Sequence, residues 1–266
     1  MTGLAERALD KCIASADPVR IEPGRYTTIL EPQAVSDLAT LLTGAESRAM
    51  WRHYAEGTGQ SPFVLGVDRS ISRVRSKLGL KVLDERITIS HDPSDPELGT
   101  VPDPYVAPIT WIEHGVLKTL EYQRWDTLLQ LNENSPTKAR GSYRMSGGST
   151  TLEEMIASTQ RGLIVTRFSS VSMIDNSSVL ATGLTRDGVW LVENGKISKA
   201  VRNFRFTESP LFAFNNIEQL GVPVPVYQPF AHPDLVIFSP RYAVQQVIVP
   251  PMKVNDFSFT STIDAV

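Results

Sequence analysis

Four histidines, one cysteine and one acidic loop are the residues of this chain whose types suit metal or nucleophilic chemistry. The histidines are His53, His91, His114 and His232. No two of them lie three or four apart, so no single helix can present a two-histidine zinc face. His91 opens a loop that also carries Asp92, Asp95, Glu97 and Asp103. Carboxylates that close together suit Ca²⁺ or Mg²⁺, but the ordered spacing and turn glycine of a known calcium loop are missing. Solvated loop charge is therefore the expectation there. His232, in Ala231-His232-Pro233-Asp234, is the better placed ligand, so His232 and His91 stand as weak metal candidates. His114 sits in a tight turn and is expected to be exposed. Cys12 falls on the apolar stripe of a short helix with no neighbouring base or cation to lower its pKa, which predicts a buried structural thiol. No Gly-x-Ser-x-Gly elbow is present. Gly147-Gly148-Ser149-Thr150 precedes a helix N-terminus, where anions are favoured. No phosphate-binding lysine follows, so a flexible approach to a capped helix is expected.

Those residues need elements to hold them. Leu4, Ala8, Cys12 and Ala16 recur four apart and predict a helix over residues 4–16, stopped by Pro18. Residues 26–30 are β-prone. Pro32 then takes a first-turn position, and Ala34, Val35, Leu38, Leu41 and Leu42 recur at helical spacing as far as Gly44. Further helices are expected over residues 45–56 and 70–78. The pattern then turns to period two. Strands are expected at 87–90, 110–112 and 116–122, the last two joined at Glu113-His114-Gly115 by a hairpin turn in which glycine supplies positive φ. Five prolines between residues 91 and 108 keep that loop out of a sheet interior. Thr151-Leu152-Glu153-Glu154 reads as a capping box, which accounts for the paired carboxylates by helix chemistry rather than acid–base catalysis. The helix that follows is expected to bury Leu152, Met155, Ile156 and Thr159 and to close at Gly162. Strands are expected at 163–168, 179–182, 189–192 and 197–206. Ser209-Pro210 opens a last helix with Leu211, Phe214 and Ile217 facing the core, ending at Gly221. Short strands at 235–238 and 247–249 are punctuated by prolines. Residues 112–117 and 192–197 echo each other as strand, glycine turn and strand, each just after a tryptophan. This favours antiparallel sheet, and hence an α+β class over a parallel α/β class.

Composition narrows the function classes. The chain has 266 residues, a net charge of −3 and a single cysteine. That length predicts one or two domains with a core that needs no disulfide or metal staple. A chain without a positive field gains little from counterion release, so nucleic-acid binding is not expected. No apolar run is long enough to span a bilayer. The first twenty residues carry Glu6, Asp10 and Asp17 and lack an apolar signal core, so a cytoplasmic protein is expected.

The order of segments resembles one family. Gly24-Arg25-Tyr26-Thr27-Thr28-Ile29-Leu30-Glu31-Pro32-Gln33-Ala34 looks like the entry into the C-terminal half of the TldD/PmbA metallopeptidases, also called modulators of DNA gyrase. Trp111-Ile112-Glu113-His114-Gly115-Val116-Leu117-Lys118 resembles the family's first hairpin. Residues 148–156 followed by Arg161-Gly162-Leu163-Ile164-Val165-Thr166 resemble its helix-into-strand signature. Residues 189–197 and 211–220 resemble the second hairpin and the helix after it. The resemblance runs from residue 5 to residue 262.

It implies an α+β, antiparallel β-rich domain, barrel- or sandwich-like, with several short flanking helices. Residues 1–23 would be a leading helix and linker and residues 24–266 the C-terminal domain, with the family's N-terminal domain absent. Active members are zinc peptidases with a His-Glu-x-x-x-His helix and a later cysteine. That helix would fall at residues 30–38, where this chain has no histidine, and the later cysteine is missing too. The resemblance therefore implies the metal-free, PmbA-type branch, with no cofactor in this chain and zinc in a partner subunit. It further implies a homo- or hetero-dimer with a family paralogue, acting on peptides or unfolded proteins. Ser142, Tyr143, Arg144 and Met145 are the candidate substrate-binding stretch, a sheet edge on which a peptide strand could add. Two alternatives stand beside this. One is a self-sufficient metallopeptidase with displaced ligands, His232 with His91 and acids of the proline-rich loop. The other is a peptide-binding or assembly module without chemistry.

Overall fold

The computed structural model describes residues 2–43, 61–68, 73–98, 107–120, 142–229 and 244–263. The expected helix at 45–56, the expected strand at 235–238, and His53, His232 and Asp103 lie outside the described residues. In chain order the elements begin with α1 (Thr2–Ala14), β1 (Gly24–Leu30), α2 (Pro32–Thr43), β2 (Val64–Asp68), β3 (Arg73–Ser76) and β4 (Ile89–His91). After a 3-10 turn at Pro96–Leu98 come β5 (Ile109–Glu113), β6 (Val116–Leu117), β7 (Arg144–Met145) and α3 (Leu152–Ala157). The long strands β8 (Arg161–Asp175) and β9 (Leu180–Glu193) lead to β10 (Lys196–Ala200), β11 (Phe204–Glu208) and α4 (Pro210–Ala213). The chain finishes with β12 (Ile217–Leu220), β13 (Val224–Pro229), β14 (Val244–Val249) and β15 (Met252–Thr262).

Five strands close into a barrel in the order β1-β8-β9-β11-β15, because β15 pairs back onto β1. The β1–β8 pair is parallel, with Thr27 to Leu30 beside Gly162 to Val165, and the other four junctions are antiparallel. Closure removes the sheet edges that would otherwise invite pairing with other chains. Side chains alternate across each strand. Phe168, Phe204, Phe206, Phe257 and Phe259 turn inward, at most 2 % exposed, with ring centroids 4.4 to 5.9 Å apart. Ile29, Ile164, Trp190 and Val192 take the opposite parity and form a second cluster under Met155 of α3.

The second sheet runs β13-β14-β7-β4-β5-β6. The hairpins, one in each sheet, follow the sequence reading. His114 (φ 48°) and Gly115 (φ 73°) turn β5 into β6, and Asn194 (φ 52°) and Gly195 (φ 75°) turn β9 into β10. Two consecutive positive φ angles are what a two-residue hairpin of the right twist requires. α2 lies between barrel and second sheet. Ala34, Val35, Leu38, Ala39 and Leu42 are fully buried, and the helix packs on β8 and on β13 and β14. The α+β, strand-rich class with a few short helices therefore holds.

Several local expectations do not. Arg73–Ser76 is a strand paired with β2, so the helix expected over 70–78 is absent; hydrogen bonding to a neighbouring strand outweighed local spacing. Strands read separately at 179–182 and 189–192 are one strand, carried past Gly183 and Gly188. Gly162 does not close α3. It lies inside β8, where a Cβ would sit 2.5 Å from the Thr27 carbonyl. α4 has one turn only, and Ile217 belongs to β12, since Asn215 and Asn216 turn their side chains back onto the carbonyls of Leu211 and Phe212. Strand β6 stops at Leu117, short of the expected 122. Cys12 is exposed, not buried. α1 docks through Lys11, which sits over the Trp190 ring and pairs with Glu31, and through the Ala14 carbonyl, which accepts from Trp190 Nε1. That geometry leaves Leu9, Cys12 and Ile13 facing outward.

Candidate functional site

The resemblance points to α2, and the candidate substrate stretch points to β7. The fold brings the two together at one seam. Pro32 starts α2, and its next turns carry Gln33, Ser36, Asp37, Thr40 and Thr43. Asp37 Oδ2 accepts from the Phe168 backbone N–H at 2.7 Å, and Gln33 Nε2 donates to Asp37 Oδ1 at 3.1 Å. β1 accompanies β8 only to Val165, so this carboxylate takes over a strand amide that has lost its neighbour strand.

Tyr143 enters the same seam from the second sheet and is 1 % exposed. Its hydroxyl donates toward the Ser36 carbonyl at 3.4 Å. Burial pushes its pKa up to about 12, against the smaller opposing effect of hydrogen bonds from the Thr40, Ser36 and Thr43 side. A phenol so held stays protonated and serves as a packed, hydrogen-bonded group rather than a base.

His91 ends β4 at 2 % exposure. Its Nδ1 lies 2.8 Å from the Ser142 carbonyl, which can only accept, so Nδ1 carries the proton. Burial lowers the imidazole pKa, partly countered by that bond and by Asp92. His114 is exposed in its hairpin, as expected.

Ser142, Tyr143 and Met145 are buried, at 5 %, 1 % and 0 %. Arg144 alone faces the other way. Its Nε donates to Asp95 Oδ2 at 2.9 Å and its Nη2 to Glu97 Oε2 at 2.6 Å. β7 is not the sheet edge expected from sequence. It pairs with β4 through Ile89–Met145 and Ser90–Arg144, and with β14 through Ile248–Arg144. Both of its sides are taken, so a peptide strand cannot add to it there. The sheet's edges lie elsewhere. The Leu117 amide and carbonyl of β6 bond to Leu80 and Gly79, and β13 carries Pro225 and Pro229, residues confined to edges for want of an N–H.

The glycine pair before α3 is a packing device. A Cβ on Gly147 or Gly148 would lie 2.5 Å from the carbonyl of Gly221 or Leu220, and the Gly148 amide bonds to Gly221. The approach to α3 is therefore tightly held rather than flexible. Thr151 and Glu154 form the expected capping box.

Zinc asks for histidine nitrogen, cysteine sulfur or carboxylate oxygen from several residues at once. α2 supplies one carboxylate, Asp37, already committed to a strand amide and a glutamine. Among the described residues no three of His, Cys, Asp and Glu gather as a ligand group. The residues present on α2 do not fit a zinc site, and no catalytic step is derived through one. Sequence reasoning missed Asp37 as a strand cap and missed Asp95 and Glu97 as partners of Arg144. The one available signal was an arginine between apolar neighbours in a short strand, downstream of an acidic loop.

A five-stranded mixed barrel backed by a second sheet, with one helix in the seam, defines a strand-rich α+β domain. The PmbA/TldA metallopeptidase C-terminal domain matches residues 23–261, and the chain belongs to the TldD/PmbA family. Solved structures share the fold, among them three from different organisms. TldE from Thermococcus kodakarensis aligns with TM-score 0.72 at 17 % identity, over 98 % of this chain and 55 % of that one. A protein described as a modulator of DNA gyrase from Bacteroides thetaiotaomicron gives 0.71 and 17 %, over 96 % and 51 %. One so described from Thermotoga maritima gives 0.70 and 18 %, over 96 % and 54 %. The chain thus spans about half the length of each. Among curated proteins none matches it by sequence. Among the described residues no helix is long and apolar enough to cross a membrane.

Proposed function

We propose that this chain is a non-catalytic subunit that completes a peptide-degrading or peptide-processing complex with a zinc-bearing family paralogue. The observation that supports the reading is the chemistry of α2. In the resemblance this helix stands where active members carry their ligands. Here its inward residues are Ala34, Val35, Leu38, Ala39 and Leu42, and its carboxylate caps a strand. The helix is used for packing, and on this reading the ligands for peptide-bond cleavage come from another subunit. In such a complex this chain would shape the cavity, bind the peptide and remain in the cytoplasm.

Co-purification with a zinc-bearing paralogue tests it. The expected result is a stable mixed complex that cleaves an unfolded peptide, while the chain alone carries no stoichiometric zinc and cleaves nothing. Zinc at one equivalent with hydrolysis by the chain alone would establish the self-sufficient alternative. A mixed complex whose turnover equals that of the paralogue alone would leave a binding module.

A further inference from the structure

The outer face of the second sheet is built unlike its inner face. Val247 and Val249 of β14 turn into the main core, so Gln246 and Ile248 turn outward. Register places Arg144 and Ser90 in the same outward row as Ile248, and Tyr227 of β13 beside Gln246. Across this row runs the segment of residues 92–98. Arg144 holds two of its three acids, Asp95 and Glu97, and Gln246 Nε2 donates to the Glu97 carbonyl at 2.6 Å. Leu98 ends the segment at 1 % exposure, and its 3-10 turn packs on β14. Ile248 is 2 % exposed, yet neither Leu98 nor Ile248 belongs to either core cluster. Beyond the segment the row stays open: Tyr227 is 63 % exposed, next to exposed Pro225.

The polar part of the attachment is light, and buried Leu98 is its apolar anchor. Asp95 is 17 % exposed, but Glu97 is 70 % exposed and the Arg144 side chain 35 %, so the outer ion pair contributes little in water and less in salt. Within itself the segment is held by Asp92 and Asp95 accepting from the amides of Ser94 and Glu97, so it can keep its shape when it leaves the sheet. A cation flanked by an amide donor, a small apolar patch and an exposed tyrosine fits a short acidic peptide, and the segment, a turn followed by a 3-10 turn, shows the bend such a peptide would take.

We propose that this outer face is a binding surface for acidic, turn-forming peptide segments, and that residues 92–98 occupy it in cis as an internal competitor. The source of such a peptide rests on the peptide-handling role above. The binding itself does not, and it is read without turnover or a partner subunit.

The probe is an acetylated, fluorescently labelled hexapeptide Pro-Ser-Asp-Pro-Glu-Leu, the sequence of residues 93–98. Its binding is followed by anisotropy at low salt. The variant D95N/E97Q, which loosens the segment, is expected to bind it at least about five-fold more tightly than the unmodified chain. R144Q in that background is expected to lose at least about ten-fold, which is about 1.4 kcal/mol. A matched peptide with Asn and Gln in place of its acids is expected to bind no better than the R144Q background. Equal binding of the acidic and neutral peptides, no gain in D95N/E97Q, or no loss with R144Q overturns the proposal. Should the variants fail to fold, titration of the unmodified chain with both peptides decides. The acidic peptide is expected to bind at least about five-fold more tightly than the neutral one at low salt, and equal binding overturns the proposal. Failure here with an active mixed complex removes this surface and leaves the subunit role standing.

Discussion

At the scale of single residues, the polar groups of the seam are chosen for their protonation state. His91 is buried with one nitrogen donating to Ser142, and burial holds its pKa below the ordinary value of 6.5. The sign follows from linkage. The unfolded chain takes up a proton as pH falls through about 6.5, whereas the folded chain resists it until lower pH. The unfolded state therefore binds more protons in that window. The stability due to neutral His91 is complete above pH 6.5 and is lost as pH falls through the folded pKa. Urea midpoints between pH 7.5 and 5 are expected to fall in the unmodified chain. In His91→Gln the amide can still donate to Ser142, and the part of the slope due to His91 should vanish. A slope identical in both chains would assign the pH dependence to other groups.

At the scale of elements, close backbone approach decides more than propensity. Gly148 lets the chain before α3 lie against the end of β12, and its amide bonds to Gly221. In Gly148→Ala the new methyl meets the Leu220 carbonyl at 2.5 Å, a backbone atom that cannot swing aside. The expected cost is about 2–3 kcal/mol, as for overpacking in a core, read as a lowered denaturant midpoint with an unchanged slope. A change of a few tenths would mean that the segment shifts freely. The same elements show what local sequence encodes. The two hairpins, the Thr151 capping box and the start of α2 at Pro32 are local devices, and each was legible. Cys12 was misread because helical spacing says which residues share a face but not whether anything covers it. Arg73–Ser76 was misread because the strand is stabilised by a partner, β2. The short reach of α4 depended on Asn side chains bonding backward, a competition that composition does not resolve. At the site, β7 looked like an edge because its neighbours β4 and β14 come from far along the chain in both directions. Arg144 and its acids Asp95 and Glu97 are likewise brought together only by the folded sheet.

At the scale of the whole molecule, the barrel closes between its first and last strands. Gly24 pairs with Phe259 and Leu30 with Met252, while β15 also pairs with β11 and β12. β15 thus joins three strands and contributes Phe257 and Phe259 to the aromatic interior. It also carries Lys253, 2 % exposed, whose Nζ reaches Glu218 at 2.8 Å and the Ser158 carbonyl at the end of α3 at 3.2 Å. Contacts so distant in sequence must offset a loop-closure entropy before they stabilise anything, so barrel closure is expected to be a late step. Without β15, β1 keeps only the short parallel pairing with β8, β11 keeps only β9, and α2 packs against a barrel that no longer closes. Removing residues 252–266 is therefore expected to abolish the cooperative thermal transition and to leave rapid amide exchange throughout β1, β8 and β11. If the second sheet were a self-sufficient unit, the truncated chain would keep protected amides in β4, β5 and β14. The prediction is that it does not, because the inner face of that sheet shares α2 and one continuous hydrophobic core with the barrel.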